Sequence, residues 1–230
     1  RKSRKRSSTP SSSGAFANGM GRITYKNARD LERMREAGRL VSTVLAAMRD
    51  AVRPGVSTLE LDELARELIQ SHGAWPSFLN YRVGRRVFRH SICASVNEEV
   101  VHGIPRSDRV LAAGDLVKLD VGVKLSGFHA DSAITVPVGE VSPERLRLLE
   151  VTREALWAGI RAIRCRGRLQ DISGAIQAYV EKAGFSVVRE MVGHGVGRSL
   201  HEPPQVPNYT DKGPPNPLLL EGMTLAIEPM

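Results

Sequence analysis

Two aspartates inside apolar segments constrain this chain more than any other feature. Asp120 and Asp131 each lie in an apolar, β-branched run between positions 115 and 138. A buried carboxylate is costly unless it is paired or binds a metal. The intervening segment Lys124-Leu125-Ser126-Gly127 predicts a tight hairpin turn. A turn centred between Leu125 and Ser126 would place the two aspartates directly opposite each other, with Cβ atoms about 5 Å apart.

This predicted opposition has a chemical consequence. Two carboxylates at that distance repel each other unless they share a proton or bind cations. A pair of divalent metal ions about 3.5–4 Å apart would satisfy both aspartates. The sequence therefore predicts a hairpin that carries part of a metal site.

The size and cysteine content of the chain set the class of protein. Its 230 residues correspond to one ordinary domain or two small halves packed together. The chain has no 18-residue apolar run, which argues against a membrane span. Two cysteines, Cys93 and Cys165, form no disulfide framework, so we expect a reducing, cytoplasmic location.

The positive charge of the chain is concentrated at its start. Five basic residues fall within the first six positions, although the formal net charge of the whole chain is +8. A nucleic-acid-binding fold would spread basic residues over a face instead. We predict that residues 1–21 are a disordered basic, Ser-rich tail and that 22–230 form the domain. The tail is either a passive extension or an electrostatic tether to RNA, such as the ribosome.

Apolar periodicity predicts four helices and two strand regions. A first helix covers 28–52, and Ser57 or Thr58 caps a second that ends at Gly73. Ser142-Pro143 opens a third helix, and Asp171 caps a fourth that ends at Gly184. Strands are predicted at 91–96 and 115–138. The third helix is predicted to face inward with Leu146, Leu149, Leu156, Ile160 and Ile163.

These elements repeat. Each half has a long helix, a Gly-containing turn at Gly55 or Gly167, a shorter helix and then strands. The pattern favours two related α/β halves about a pseudo-twofold axis, with a ligand site at their seam. Ordinary α/β alternation would give the same order by coincidence, and this alternative stays open.

Two further polar residues lie in settings that suit metal ligands. His194 stands between two glycines, where the backbone must approach closely, and Glu228 lies in an apolar segment. Either could instead be structural: His194 a packed histidine, Glu228 an exposed edge-strand residue. Together with the aspartates they would form an oxygen-rich site with one imidazole, which suits Mn²⁺, Fe²⁺, Co²⁺ or Zn²⁺.

At this point the sequence resembles the type I methionine aminopeptidases, of the pita-bread metallopeptidase fold, from about residue 22 to the end. The resemblance implies two pseudo-twofold-related halves around a central antiparallel sheet. It also implies removal of the N-terminal methionine from nascent polypeptides whose second residue is small. The motifs that carry it are Asn97-Glu98-Glu99-Val100-Val101-His102-Gly103-Ile104-Pro105, the aspartate hairpin, Gly193-His194-Gly195-Val196-Gly197, His201-Glu202-Pro203-Pro204 and Ile227-Glu228-Pro229-Met230.

The resemblance assigns roles to residues of this chain. It implies that two divalent ions are held by Asp120, Asp131, His194 and Glu228. Glu228 would also relay a proton, His201 would stabilise the oxyanion, and His102 would contact the scissile amide. An apolar pocket for the methionine side chain would be lined by Tyr81, Phe88, Cys93 and Leu200, which could equally be ordinary core.

The sequence departs from the family pattern in two places. The segment Arg82–Val87 replaces a much shorter link, and Arg89 stands where proline is common. The family also has a further glutamate ligand some thirty residues past its Ile-Glu-Pro-Met motif, which lies beyond Met230 here. We therefore expect a domain that is incomplete at its C-terminal end, so that these 230 residues alone bind metal weakly and hydrolyse little.

Three functional hypotheses remain at this stage. The first is a monomeric methionine aminopeptidase that acts on nascent chains and has no membrane partner. The second keeps the fold but changes the substrate, as in Xaa-Pro aminopeptidases and prolidases. The third is a binding domain that has lost catalysis, against which the presence of all four matched ligands argues.

Overall fold

The computed structural model describes residues 21–210 and 215–230. The predicted tail therefore lies almost entirely outside the described residues. Helix α1 spans Ala28–Ala51, and its N-cap Asn27 accepts a hydrogen bond from the Asp30 N–H. Helix α2 spans Thr58–Ser71 and is capped in the same way by Ser57. Both helices confirm the predicted bounds to within two residues.

The two helices of the first half cover an antiparallel sheet. Its strands are β1 (Trp75–Pro76), β4 (Ile92–Val96), β5 (Leu116–Leu125) and β6 (Phe128–Pro137). Strand β5 is central: β6 pairs along its whole length, while β4 and β1 pair with successive parts of it. The first apolar core lies between α1, α2 and this sheet. Strands β2 (Arg82–Val83) and β3 (Arg86–Val87) form a separate hairpin.

The prediction that the two aspartates lie directly opposite each other is wrong, because the observed strand register differs by two residues. Asp120 lies opposite Ala133, and Asp131 lies opposite Gly122. The turn consists of Ser126 and Gly127 alone, with φ angles of 52° and 83°, as a tight two-residue hairpin requires. The aspartates are therefore diagonal neighbours on the same face, which still allows their side chains to interact.

The second half repeats the order of helix pair and sheet. Helix α3 spans Pro143–Ala162, with Ser142 as its N-cap, and α4 spans Leu169–Lys182. Strands β7 (Gly193–Gly195), β8 (Glu202–Val206) and β9 (Leu225–Ala226) form an antiparallel sheet in the order β8-β7-β9. A second apolar core joins α3 and α4 to this sheet. The predicted α/β class is therefore confirmed.

The predicted start of α4 at Asp171 is wrong. The N-cap is Arg168, and Asp171 occupies the third helical position, where its carboxylate accepts a hydrogen bond from the Arg168 N–H at 2.7 Å. The helix begins earlier because Leu169 is buried in the second core. The aspartate still satisfies the helix start, but from inside the first turn.

The predicted inward stripe of α3 is also wrong in part. Leu146, Ile160 and Ile163 are exposed, whereas Ala155 and Gly159 are buried. A Cβ at Gly159 would lie 2.8 Å from Ile176 of α4. The helices thus approach each other over small residues, and the contact face of α3 is rotated away from its large side chains.

Within the described ranges, no helix has both the length and the apolar character needed to cross a bilayer.

Candidate metal centre

The four predicted metal ligands come together where the two halves meet. Asp120 and Asp131 project from β5 and β6, His194 lies in β7, and Glu228 follows β9. The Nε2 atom of His194 lies 3.6 Å from Asp131 Oδ2 and 3.2 Å from Glu228 Oε1. The charges of Asp131 and Glu228 both act on the carboxyl group of Asp120. Residues more than one hundred positions apart thus converge on one acidic site.

Glycines on both sides of His194 allow its backbone to pack into the second sheet. A Cβ at Gly193 would overlap the carbonyl oxygen of Ala226, and one at Gly195 would overlap that of Pro203. The His194 Nδ1 atom lies 2.7 Å from the Gly195 carbonyl oxygen. An N–H at Nδ1 donates to this carbonyl, which directs Nε2 towards the carboxylates.

Burial and mutual repulsion control protonation at this site. Burial, followed by the charges of Asp131 and Glu228, raises the pKa of Asp120 well above its usual range. Burial alone would lower the pKa of His194, but the nearby carboxylates of Asp131 and Glu228 stabilise the charged ring and raise that pKa to about 10. In the metal-free protein a protonated imidazole thus supplies positive charge beside the carboxylates of Asp131 and Glu228.

The donor set suits a hard or borderline divalent ion. Three carboxylates and one imidazole match Mn²⁺, Fe²⁺, Co²⁺ or Zn²⁺, and Glu228 Oε1 is buried without a hydrogen-bond partner. Although His194 lies 3.2 Å from that oxygen, the contact is an ion pair without hydrogen-bond geometry. Among residues 21–210 and 215–230, no three such side chains are already arranged to hold an ion. The donor types and the negative charge of the site fit a metal ion. In the metal-free structure the four side chains contact one another in pairs.

His201 lies directly against His194. Their ring centroids are 4.3 Å apart in an edge-to-face arrangement, and the Tyr81 hydroxyl lies 2.7 Å from His201 Nδ1. Burial, followed by the charge of His194, lowers the pKa of His201 to about 4. The His201 ring is therefore neutral at physiological pH, and a neutral imidazole carries one N–H that acts as a hydrogen-bond donor.

His102 occupies a different position from the other site residues. It is exposed and has a φ of 61°, and none of the hydrogen bonds in the described ranges involves its side chain. It is near enough to His201 for its charge to contribute to the lowered pKa of that ring. The following residue, Gly103, packs so closely on Ala94 that a Cβ would overlap its carbonyl oxygen.

The four predicted pocket residues lie in one small apolar cluster beside the acidic site. Cys93 and Leu200 are buried in it, and Tyr81 and Phe88 are half-buried. Cys93 is paired with Asp120 in the sheet, so the cluster borders the carboxylates directly. Burial, followed by the charges of Asp120 and Asp131, raises the pKa of the Cys93 thiol. The cluster also contains Phe78, which we did not predict, although it belongs to the same aromatic segment as Tyr81.

Sequence reasoning also missed a buried ion pair behind the site. Lys26 Nζ lies 2.7 Å from Glu202 Oε2, and the two side chains are only 5% and 8% exposed. Glu202 also accepts hydrogen bonds from the Thr24 hydroxyl and, at 3.0 Å, from the Ser199 N–H. These contacts fix the loop that carries His201. The partners are far apart in the chain, so no local pattern could reveal them.

The sequence matches a known metallopeptidase family over most of its length. Residues 32–230 match the family described as Metallopeptidase family M24. The chain belongs to metallopeptidase family M24. It is 53% identical over 210 residues to "Methionine aminopeptidase 1" of Bacillus subtilis, covering 90% of this chain and 82% of the relative.

Comparison with solved structures confirms the fold. The methionine aminopeptidase of Rickettsia prowazekii superposes with a TM-score of 0.85 at 41% identity, covering 90% of this chain and 82% of that chain. The prolidase of Pyrococcus furiosus superposes with a TM-score of 0.74 at 21% identity, covering 89% and 57% of the two chains. The second likeness shows a shared fold alone. The predicted pita-bread architecture is therefore confirmed.

Proposed function

We propose that this M24 metallopeptidase hydrolyses the N-terminal methionine from nascent polypeptides whose second residue is small. The observation that carries the proposal is the apolar cluster of Tyr81, Phe88, Cys93 and Leu200 directly beside the acidic site. Relatives named methionine aminopeptidase at 53% identity support the same activity.

Asp120, Asp131, His194 and Glu228 would hold two divalent cations, which supply the Lewis acidity that amide hydrolysis needs at neutral pH. His194 must be neutral to act as a ligand, so its imidazolium proton leaves when metal binds. The buried Oε1 of Glu228 accepts no hydrogen bond within the described residues, and its ion pair with His194 ends when that ring loses its proton. Glu228 can therefore also carry the proton from the attacking water to the leaving amine.

His201 is suited to stabilise negative charge on the substrate carbonyl oxygen. Its lowered pKa keeps the ring neutral, and a hydroxyl proton donated by Tyr81 to Nδ1 would leave Nε2–H to donate to that oxygen. His102, exposed at the rim, would contact the scissile amide. These two roles are proposed from position and protonation state.

The apolar cluster would accept the methionine side chain. Aromatic rings and a neutral thiol suit a flexible, polarisable thioether. A branched or charged first residue would fill it poorly or leave a charge without a partner.

The cysteines and the basic residues at the start of the chain bear on the cellular setting. Both cysteines are free, which agrees with a cytoplasmic enzyme. We also propose a monomer that meets nascent chains at the ribosome, with the basic residues at positions 1–6 as the tether.

The decisive experiment uses the natural full-length chain, stripped of metal and then supplied with Co²⁺, Mn²⁺, Fe²⁺ or Zn²⁺. We expect methionine release from Met-Ala-Ser but not from Leu-Ala-Ser. His201→Gln should lower kcat at least about 10-fold, as loss of a transition-state donor does. His72→Gln, at the exposed end of α2, is the matched control and should be unaffected. No release with any metal, or equal activity of the two variants, would contradict the proposal.

A further inference from the structure

The segment that departs from the family pattern forms a hairpin on the edge of the pocket. Strands β2 and β3 pair Arg82 with Val87 and Val83 with Arg86. Gly84 and Arg85 form the turn, with a Gly84 φ of 59°. The Phe88 N–H donates to the Tyr81 carbonyl oxygen at 2.9 Å, so the pairing continues down to two residues of the apolar cluster.

Strand alternation separates the arginines of the hairpin onto two faces. Side chains of alternate residues share a face, and residues paired across a hairpin share one too. Phe88 and Tyr81 turn their side chains into the apolar cluster, so Arg86 lies on that same face. Arg82 lies on the opposite face, because it is adjacent to Tyr81 in the strand. Two residues of strand place the Arg86 backbone about 7 Å beyond Phe88, on the face that Phe88 and Tyr81 turn towards the apolar cluster.

The Arg86 charge is available for a ligand. Arg82, Arg85 and Arg86 are exposed, and none of the salt bridges among the described residues involves them. Arg89, by contrast, donates a hydrogen bond to Asn80 at the base of the hairpin. An unpaired guanidinium is a planar fork of donors that matches a carboxylate.

We propose that Arg86 is a specificity-determining residue that binds an acidic side chain at the third or fourth position of the peptide substrate. The inference deepens the proposed function and rests on it. If the first side chain fills the cluster, each further residue of an extended peptide advances about 3.3–3.6 Å. The third and fourth residues then lie about 7–10 Å along the chain, within the span of the Arg86 side chain. Binding to RNA phosphates would instead recruit arginines on both faces.

The test compares two amidated peptides, Met-Ala-Glu-Glu and Met-Ala-Gln-Gln, which differ only in charge. At low ionic strength the wild-type protein should show a kcat/KM about 2–5-fold higher for the acidic peptide, mainly through KM, as exposed ion pairs typically give. Arg86→Gln should remove this preference and leave turnover of the neutral peptide unchanged. Arg82→Gln, with the same loss of charge on the opposite face, should retain it.

Two results would overturn the proposal. One is a preference that survives in Arg86→Gln; the other is an equal loss in both variants, which would indicate unspecific attraction. Parallel titrations with a single-stranded oligoribonucleotide test RNA as the ligand. Equally weakened RNA binding in both variants, together with no preference between the two peptides, would show that the hairpin binds RNA phosphates instead.

Failure of the proposed function can be distinguished from failure of this inference. If the wild-type protein releases methionine from neither peptide, binding of fluorescently labelled versions is compared in the same three proteins by anisotropy. Tighter binding of the acidic peptide that depends on Arg86 but not Arg82 supports the inference without turnover. Equal binding of both peptides contradicts it.

Discussion

Replacing Lys26 by methionine should destabilise the protein strongly, because it leaves the Glu202 carboxylate buried without its cation. The Lys26 Nζ atom lies 2.7 Å from Glu202 Oε2, and neither side chain is more than 8% exposed. Removing one partner of such a pair costs about 3–5 kcal/mol. Thr24 and Ser199 still donate hydrogen bonds to the carboxylate, so we expect the lower end, about 3 kcal/mol. For a chain of this size that corresponds to a fall in Tm of about 6–12 °C.

The assay is urea unfolding of the metal-free natural protein, with Arg35→Met as the matched control. The Arg35–Glu32 pair has a similar separation, 3.1 Å, but its side chains are 62% and 52% exposed. Losing that pair should cost no more than about 0.5 kcal/mol. A loss below about 1 kcal/mol for Lys26→Met, similar to that of the control, would refute the reasoning.

The same pair predicts a pH dependence. Burial raises the pKa of Glu202, but hydrogen bonds from Lys26, Thr24 and Ser199 lower it by more than burial raises it. The net shift of this pKa is therefore downward. A depressed folded-state pKa contributes stability that is complete above the unfolded value, about 4.3, and is lost as the pH falls through the folded-state pKa. The difference in unfolding free energy between wild type and Lys26→Met should therefore narrow on acidification below about pH 4.3. A constant difference would contradict this.

Three further predictions concern the site and the tail. Asp131→Asn should abolish metal-supported methionine release while the metal-free protein stays folded, since removing a charge relieves repulsion with Asp120; near-wild-type release would show that Asp131 is not a ligand. Tyr81→Phe should lower kcat about 2–10-fold with little change in KM, because it removes one hydrogen bond to His201 and keeps the ring; an unchanged kcat would exclude that bond from catalysis. Deleting residues 1–21 should leave turnover of short peptides unchanged and weaken co-sedimentation with ribosomes, most visibly at low salt; unchanged co-sedimentation would contradict the tether.

Local signals in the sequence predicted the first half of the fold well. The apolar periodicity of the first helix, the predicted cap at Ser57 and the glycine stop at Gly73 are short-range features, so the bounds of both helices followed from pattern. The hairpin register did not, because it depends on whether Leu125 belongs to the turn or to the strand. In the observed hairpin Leu125 belongs to the strand and pairs with Phe128. Asp131 therefore lies opposite Gly122, two residues along β5 from the predicted partner Asp120.

Tertiary packing determined what local patterns could not. The face of α3 was predicted from its largest side chains, yet Gly159 forms the contact because it allows α4 to approach closely. The Lys26–Glu202 pair joins residues from opposite ends of the described chain, so only the fold reveals it. The ligand and pocket residues were assigned through the family resemblance, and the structure brings them together in space; their chemical roles stay predictions.

A titration with Co²⁺ tests the central claim most directly, namely that Asp120, Asp131, His194 and Glu228 form a divalent metal centre. The natural full-length protein is stripped of metal, and binding is followed by calorimetry in wild type, His194→Ala and the control His72→Ala. We predict that His194→Ala weakens binding at least about 10–100-fold, as loss of ligand support does, while His72→Ala binds as tightly as wild type. Equal affinities in all three proteins would show that the metal, if bound, is held elsewhere.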